Sequence, residues 1–272
     1  MQKLIRLNDG NSIPQIGLGV WQATNEQVQR AINCAFEAGY RAIDTASIYG
    51  NEQGVGHAIK NSGLPRQDIF VTTKLWNNEQ QQVREALSRS IDLLQLDYLD
   101  CYLIHWPAAA NHYYVAAWQE LVRAQQEGLI KSIGVSNFMP EHLQQIIAAT
   151  GVVPVINQIE LHPLLPQKAL SAYCRELDIH IQAWSPLAQG GDGVFNHNEV
   201  INIARRHGKS PAQVVLRWHL QNDILVIPKS VTPWRICENF NIFDFELSPD
   251  ELSIIDKLNQ NKRLGPDPRL FV

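Results

Sequence analysis

The chain has 272 residues, is 45% hydrophobic and 18% charged, and carries a formal net charge of −4. That length suits one large domain or two small ones, and the composition supports a large core and excludes wholesale disorder. With no basic block and no acidic tail, nucleic acid and membrane surfaces are poor partners for the whole protein, although a local basic pocket stays open.

Residues 3–14 read as a β-hairpin, because Leu4-Ile5-Arg6-Leu7 and Ser12-Ile13-Pro14 flank the turn signal Asn8-Asp9-Gly10-Asn11. A short strand follows at 16–19. Thr24 then opens a helix, with Gln27 three residues on as a capping-box partner, and Gly39 stops it after Ala38. From there a unit of apolar strand, polar loop and amphipathic helix repeats. Strands at 41–43, 69–73, 98–104, 130–135, 154–159 and 179–184 precede helices at 52–61, 79–94, 115–127, 140–149, 166–176 and 198–207. A helix at 211–221 is inserted, with Ser210 as its cap and Pro211 as its first residue. Strand 224–227 precedes helix 233–240, and a last helix, 249–258, starts with Ser248-Pro249-Asp250-Glu251. The tail from Lys262 to Val272 contains two prolines and is expected to run over the surface.

Counting the strand at 16–19, this makes eight βα units with no linker between them. The expectation is an α/β fold: one domain over 1–272, a (β/α)8 TIM barrel with the hairpin plugging its bottom and extra helices outside the repeat. An open doubly wound sheet is the runner-up. Cys34, Cys101, Cys174 and Cys237 are far apart and have no metal-ligand spacing, so no metal is expected. Cys34 on a helix and Cys101 in a strand read as small buried hydrophobes. A reducing cytoplasm is the simplest setting. No signal peptide and no membrane-spanning stretch are expected.

In such barrels the working residues collect at the C-terminal ends of the strands. Here those ends read Asp44, Lys74, His105, Ser136-Asn137, Gln158, Trp184-Ser185 and Lys229-Ser230, with Tyr49 on a turn just after Asp44. Each has a bland explanation alone: Asp44 as a turn cap, Lys74 as a solvated amine, His105 as a satisfied core histidine. Together the fold would point them into one bowl. A tyrosine has an ordinary pKa of about 10. A neighbouring Lys74 is expected to lower that value, Asp44 to hold Lys74 charged, and His105 to orient a carbonyl oxygen while Tyr49 gives it a proton. Such a set lacks a hydride source, so a cofactor is required.

Lys229, Ser230 and Thr232 precede a helix whose first turn is Pro233-Trp234-Arg235. A cation there opposes the helix dipole, so something negative should compensate. It is either Glu238 or the phosphate of a ligand held by Lys229, Ser230 and Arg235. Trp21, Trp76 and Trp106 each follow a strand end and could wall a substrate pocket, whereas Trp118, Trp218 and Trp234 look structural. Gly17-Leu18-Gly19 and Gly54-Val55-Gly56 both lack the third glycine of a Rossmann fingerprint.

Four segments carry a resemblance. They are Gly39-Tyr40-Arg41-Ala42-Ile43-Asp44-Thr45-Ala46 through Tyr49-Gly50-Asn51-Glu52, Leu103-Ile104-His105-Trp106-Pro107, Gly134-Val135-Ser136-Asn137-Phe138, and Ile227-Pro228-Lys229-Ser230-Val231-Thr232-Pro233. With them the chain resembles the aldo-keto reductase superfamily nearly end to end, and most of all the bacterial 2,5-diketo-D-gluconate reductases. The resemblance implies an NADPH-dependent carbonyl reductase with the tetrad Asp44, Tyr49, Lys74 and His105. It implies that Ser136, Asn137 and Gln158 bind the carboxamide, that Trp184 stacks on the nicotinamide, and that Ser185, Leu187 and Gln189 follow the pyrophosphate. It places Lys229, Ser230 and Arg235 on the 2′-phosphate, with Val231, Thr232, Glu238 and Asn239 toward the adenosine end. Trp21, Trp76 and Trp106, with Tyr49 and His105, would contact substrate.

The expected reaction is reduction of small polar keto compounds, with 2,5-diketo-D-gluconate going to 2-keto-L-gulonate. The alternative is a broad reductase of aldehydes, methylglyoxal or β-keto esters. A remote third reading is a non-catalytic NADPH-binding protein. The loop from Ser185 to Phe195 and the C-terminal tail are short, so the cofactor is expected to be less enclosed than in longer-tailed relatives. The segment from Pro107 to Val115 is where subfamily differences are expected. Monomer is the default state.

Overall fold

The computed structural model describes residues 2–191 and 193–271; Met1, Asp192 and Val272, the last residue of the predicted tail, lie outside them. Among the described residues, ten strands form two sheets. β1 (Leu4–Arg6) and β2 (Ser12–Pro14) pair antiparallel, with Ile5 opposite Ile13. The other eight lie in chain order and pair in parallel: β3 (Leu18–Gly19), β4 (Ala42–Asp44), β5 (Phe70–Leu75), β6 (Leu99–Ile104), β7 (Ile130–Ser136), β8 (Ile156–Glu160), β9 (His180–Trp184) and β10 (Leu225–Val226).

The sheet closes on itself. Bridges join Ile16 to Val226 and Gly19 to Lys229, and the Gly17 N–H donates to the Val226 carbonyl at 2.9 Å. The open doubly wound alternative is therefore excluded. Gly19 is required at this seam: a Cβ there would lie 2.8 Å from the Ile227 carbonyl oxygen.

The helices fall where the periodicity places them, within a few residues at their ends: Asn25–Ala38, Glu52–Asn61, Val83–Leu94, Tyr113–Gln126, Pro140–Thr150, Lys168–Glu176, Asn198–His207, Pro211–Gln221, Pro233–Phe240 and Pro249–Asp256. Thr24 with Gln27, Ser210 with Gln213 and Ser248 with Glu251 each form a reciprocal cap. Gly39 ends the first helix at φ 108°, a conformation open to glycine. The helix expected from residue 79 starts only at Val83. Glu79 instead turns its carboxylate to the Ser47 hydroxyl and the Trp76 N–H.

The hairpin does plug the bottom. Leu7 and Ile13 pack with Ala42, Phe70, Cys101, Val155 and Leu225, residues of the strands' lower ends. The Asn8 amide donates to the carbonyls of Pro154 (3.1 Å) and Asp178 (2.9 Å), and the Asn11 amide to the Ser132 hydroxyl (3.1 Å). The opposite end of the barrel is left for polar side chains.

Candidate active site

β4 and β5 are adjacent in register, with Asp44 beside Thr72, so the last turn of β5 brings Lys74 up to Asp44. The Lys74 ammonium donates to Asp44 Oδ1 and, at 2.8 Å, to the Thr45 carbonyl. Gln158 Nε2, from the far side of the barrel, donates to Asp44 Oδ2 at 2.7 Å and to Gln182 Oε1 at 2.7 Å. Both carboxylate oxygens are thus satisfied, which a buried ion pair requires. Tyr49 is carried in by a single 3₁₀ turn, Ser47–Tyr49. Lys74 Nζ lies 5.2 Å from the centre of its ring, and the His105 ring stands edge-on to it at 5.7 Å. The four residues lie together as the sequence reading expected.

The electrostatics differ from expectation in one respect. Burial pushes the Tyr49 phenol up, Lys74 pulls it down, and the net result is above the ordinary value. The expected net lowering by Lys74 is corrected: the pull exists, but packing of the ring outweighs it. Burial disfavours the Lys74 ammonium too, yet Asp44 and Tyr49 more than offset that, and Lys74 is held above its usual range. Asp44 is raised by burial against the opposing pull of Lys74 and Gln158. His105 is driven well below 6.5, first by burial and then by Lys74, and its Nδ1 has no hydrogen-bond partner among the described residues. The arrangement therefore holds a protonated phenol beside an ammonium and a neutral imidazole. That is a donor set able to orient a carbonyl oxygen and protonate it.

These groups open into a cleft of about 1360 Å³ that runs from the tetrad to the helix starting at Pro233. Asn137, Gln158, Trp184, Ser185, Leu187, Gln189, Lys229, Ser230, Val231, Thr232, Arg235, Glu238 and Asn239 line it, as do Trp21, Trp76 and Trp106. Ser136 lies behind the lining, its hydroxyl donating to the Gln158 carbonyl at 2.8 Å. Asn137 adopts the left-handed region at φ 63°. Its amide donates to the His105 carbonyl (3.0 Å), and its Oδ1 accepts from the Trp184 indole (2.8 Å). At the other end, Lys229 and Arg235 are exposed and, among the described residues, form no ion pair, so the Arg235–Glu238 alternative is not realised. Arg235 instead lies 5.1 Å from the Trp234 ring centre. Trp234 is 61% exposed and lines the cleft, which corrects its reading as structural; Trp118 and Trp218 are buried as expected.

The tail also departs from expectation. It folds over the barrel mouth, and Leu264, Gly265, Pro266 and Phe271 line the cleft. Phe271 packs on Trp106 with ring centres 4.6 Å apart. The cause is Glu160, a fully buried carboxylate that accepts from the backbone N–H of Leu264 (2.6 Å) and Gly265 (3.1 Å), with the Arg263 guanidinium at 3.3 Å and His162 Nε2 at 3.1 Å. Although burial pushes its pKa up, His162 and the Leu264 and Gly265 amides hold it below the ordinary range. Sequence reasoning missed Glu160, Phe271 and Glu79. The signal for Glu160 was available, since it lies two residues after Gln158 and so shares its face of β8. Cys101 is buried as read, but Cys34 is only half-buried and faces Cys237.

Residues 15–260 match the Aldo/keto reductase family. The chain is 57% identical over 268 residues to the methylglyoxal reductase DkgA of Escherichia coli strain K12, covering 98% of each chain. It is 53% identical over 273 residues to an aldo-keto reductase of Mycolicibacterium smegmatis, covering 100% of this chain and 98% of that one. Among solved structures, a variant of Gox0644 in complex with NADPH superposes with a TM-score of 0.95 at 44% identity, covering 99% and 98% of the two chains. A Bombyx mori aldo-keto reductase in complex with NADP gives 0.91 at 36% identity, covering 100% and 98%.

Proposed function

The chain belongs to the aldo/keto reductase family and is an NADPH-dependent oxidoreductase; within that family, we propose that it reduces small uncharged carbonyl compounds, with methylglyoxal-like α-dicarbonyls as the substrate class. NADPH, when bound, supplies the hydride. The cleft fits it: two cations without ion-pair partners among the described residues sit at one end, and a tryptophan ring and amide groups at the other.

The remaining steps are assigned to the chain's own residues. His105, neutral, donates a hydrogen bond to the carbonyl oxygen and fixes its direction. Tyr49 passes its proton to that oxygen as the carbonyl is reduced to an alcohol, and the phenolate left behind is steadied by Lys74 and later takes a proton from water. Asp44, held by Gln158, keeps Lys74 charged and in place. Asn137, Gln158 and Trp184, backed by Ser136, hold the nicotinamide end. Ser185, Leu187 and Gln189 follow the pyrophosphate, Lys229, Ser230 and Arg235 take the 2′-phosphate, and Val231, Thr232, Glu238 and Asn239 take the adenosine. A monomer in the cytoplasm completes the proposal; no helix among the described residues is long and apolar enough to cross a membrane.

One observation carries the choice of substrate. Around the tetrad the cleft is lined by Val20, Trp21, Ile48, Trp76, Trp106 and Phe271, and among the described residues the only lysine and arginine in the lining, Lys229 and Arg235, stand at the proposed cofactor end. A sugar acid would bring its carboxylate to a wall without a charged partner. The name of the Escherichia coli relative points the same way. The reading placed second on sequence grounds is thus the better supported, ahead of 2,5-diketo-D-gluconate. The test is NADPH oxidation with methylglyoxal, 2,5-diketo-D-gluconate, a β-keto ester and an aromatic aldehyde, compared by kcat/KM. We expect methylglyoxal to match or exceed the diketo acid. A clear preference for the diketo acid would overturn the substrate class, and NADPH binding without turnover of any compound would bring the non-catalytic reading forward.

A further inference from the structure

Two thiols outside the cleft face each other. Cys34 lies toward the end of the helix Asn25–Ala38 and Cys237 within Pro233–Phe240. Their sulfurs are 3.9 Å apart, and Cys34 Sγ also donates to the Pro233 carbonyl at 3.6 Å. Cys237 is exposed and Cys34 half-buried, whereas Cys101 and Cys174 are buried. All four are free thiols.

The place of Cys237 on its helix gives the pair a consequence. At about 100° per residue, positions two before and two after a given residue fall on the opposite face. For Cys237 these are Arg235 and Asn239, and both line the cleft while Cys237 does not. Trp234 and Glu238 line the cleft as well, so the short helix that carries the thiol also carries four cleft-lining side chains. Helix backbones move as rigid units, so a pull on the thiol is felt by the cleft-facing side chains.

We propose that Cys34 and Cys237 form a dithiol site that a peroxide oxidises to an intramolecular disulfide, and that closing this bond weakens the grip on the adenosine end of NADPH. Cys237, as its thiolate, attacks one peroxide oxygen. The O–O bond breaks, the other oxygen leaves as hydroxide and takes up the thiol proton as water, and Cys237 becomes a sulfenic acid. The Cys34 sulfur then attacks the Cys237 sulfur; the S–O bond breaks, and the Cys34 proton leaves with the hydroxyl as a second water. In sum, two thiols lose two electrons and two protons, and one peroxide becomes two waters. Burial, followed by the adjoining Cys237 thiol, pushes Cys34 up to about 11, so Cys34 gives up its proton only in the second step, to the departing hydroxyl, while the exposed Cys237 meets the oxidant first. A disulfide measures about 2.05 Å, so the sulfurs must approach by roughly 1.9 Å from their present 3.9 Å. Rotation of the two side chains together with a shift or turn of the helix Pro233–Phe240 closes that gap.

The second half of the proposal rests on reading Lys229, Ser230 and Arg235 as the phosphate site. The experiment treats the whole protein with hydrogen peroxide. It follows intact mass without reductant, and the dissociation constants of NADPH and NADH by fluorescence, in the wild type, Cys34→Ser and Cys237→Ser. The expected result is loss of two hydrogen masses in the wild type alone, a linked Cys34–Cys237 peptide pair, and an NADPH dissociation constant raised about 5-fold or more, reversed by reductant. By linkage, bound NADPH should oppose disulfide formation by the same factor. Added oxygen on Cys237 with no linked pair would overturn the site, whatever the cofactor result. A linked pair with unchanged NADPH affinity would overturn the coupling, and Arg235→Ala, measured alongside, separates that outcome from failure of the phosphate site. If Arg235→Ala weakens NADPH and NADH equally, it is the phosphate reading that falls.

Discussion

The two ends of the cleft are built on different principles. At the carbonyl end, Asp44, Lys74 and Gln158 are buried and bonded to one another and Asn137 to the His105 carbonyl, all without any ligand. At the proposed adenosine end, Lys229 and Arg235 stand exposed and, among the described residues, without ion-pair partners. The first end is preorganised: its groups reach their working positions during folding, and the cost of ordering them is met by the fold. The second, on the proposed reading as a phosphate site, waits for a charge and gains its contacts on binding. Chemistry should therefore be fragile to small changes at one end, and cofactor choice should respond to single charges at the other.

The largest expected effect breaks the carbonyl end alone. Tyr49→Phe should lower kcat by about 10² to 10⁴-fold, the range of a lost general acid, while the NADPH dissociation constant stays within about a factor of two. Retained turnover would remove Tyr49 from the mechanism. The pH profile sharpens the same point. The Tyr49 phenol is raised above its ordinary value and stays protonated through neutrality, so reduction should fall only as pH rises through that raised value. The His105 imidazole is lowered well below 6.5 and should produce no acid limb near 6.5; a step there in kcat/KM would contradict a neutral His105.

Next in size is stability. Asp44→Ala leaves the Lys74 ammonium buried without its carboxylate, and loss of one partner from a buried pair costs about 3–5 kcal/mol. Thermal or urea unfolding should register that loss. A change under about 1 kcal/mol would mean that water replaces Asp44 and that this end is less closed than its burial implies.

Smaller, and confined to the other end, is Arg235→Ala. A hydrogen bond to a charged group is worth about 1.5–3 kcal/mol, so NADPH affinity should drop roughly 10- to 100-fold with NADH little changed. The smallest effect belongs to the strap between the two ends. Glu160→Gln removes the charge that gathers the Leu264 and Gly265 amides. We expect a several-fold rise in KM for carbonyl substrates with kcat nearly kept, and partial rescue by Glu160→Asp. A fall in kcat with KM unchanged would place Glu160 in support of the tetrad instead.

Much of this was legible in the chain because the cues are local. Ser210-Pro211 and Ser248-Pro249 announce helix starts within a turn, and polar residues ending apolar strands announce a barrel mouth. What escaped depends on distant partners. The tail cannot be read without knowing that Glu160, about a hundred positions earlier, is buried beneath it. The sign of the Tyr49 shift depends on how closely its ring is packed, and sequence spacing to Lys74 does not report that. Cys34 and Cys237 are separated by 203 positions and meet only because the barrel closes the first helix against a late one.

The hairpin at the floor has a consequence for how the molecule is made. Its turn, which leaves the ribosome well before its partners, finds them in Ser132, Pro154 and Asp178, and Gln15 bonds to the Leu220 carbonyl at 3.0 Å. During synthesis the cover over Leu7 and Ile13 therefore stays incomplete until Val155 and Leu225 have emerged, and such long-range closure is slow. The amides around Leu7 should be among the last to gain protection from hydrogen exchange during refolding. A chain interrupted before residue 154 would carry its own unburied stopper, an apolar end available to chaperones or to other unfinished chains.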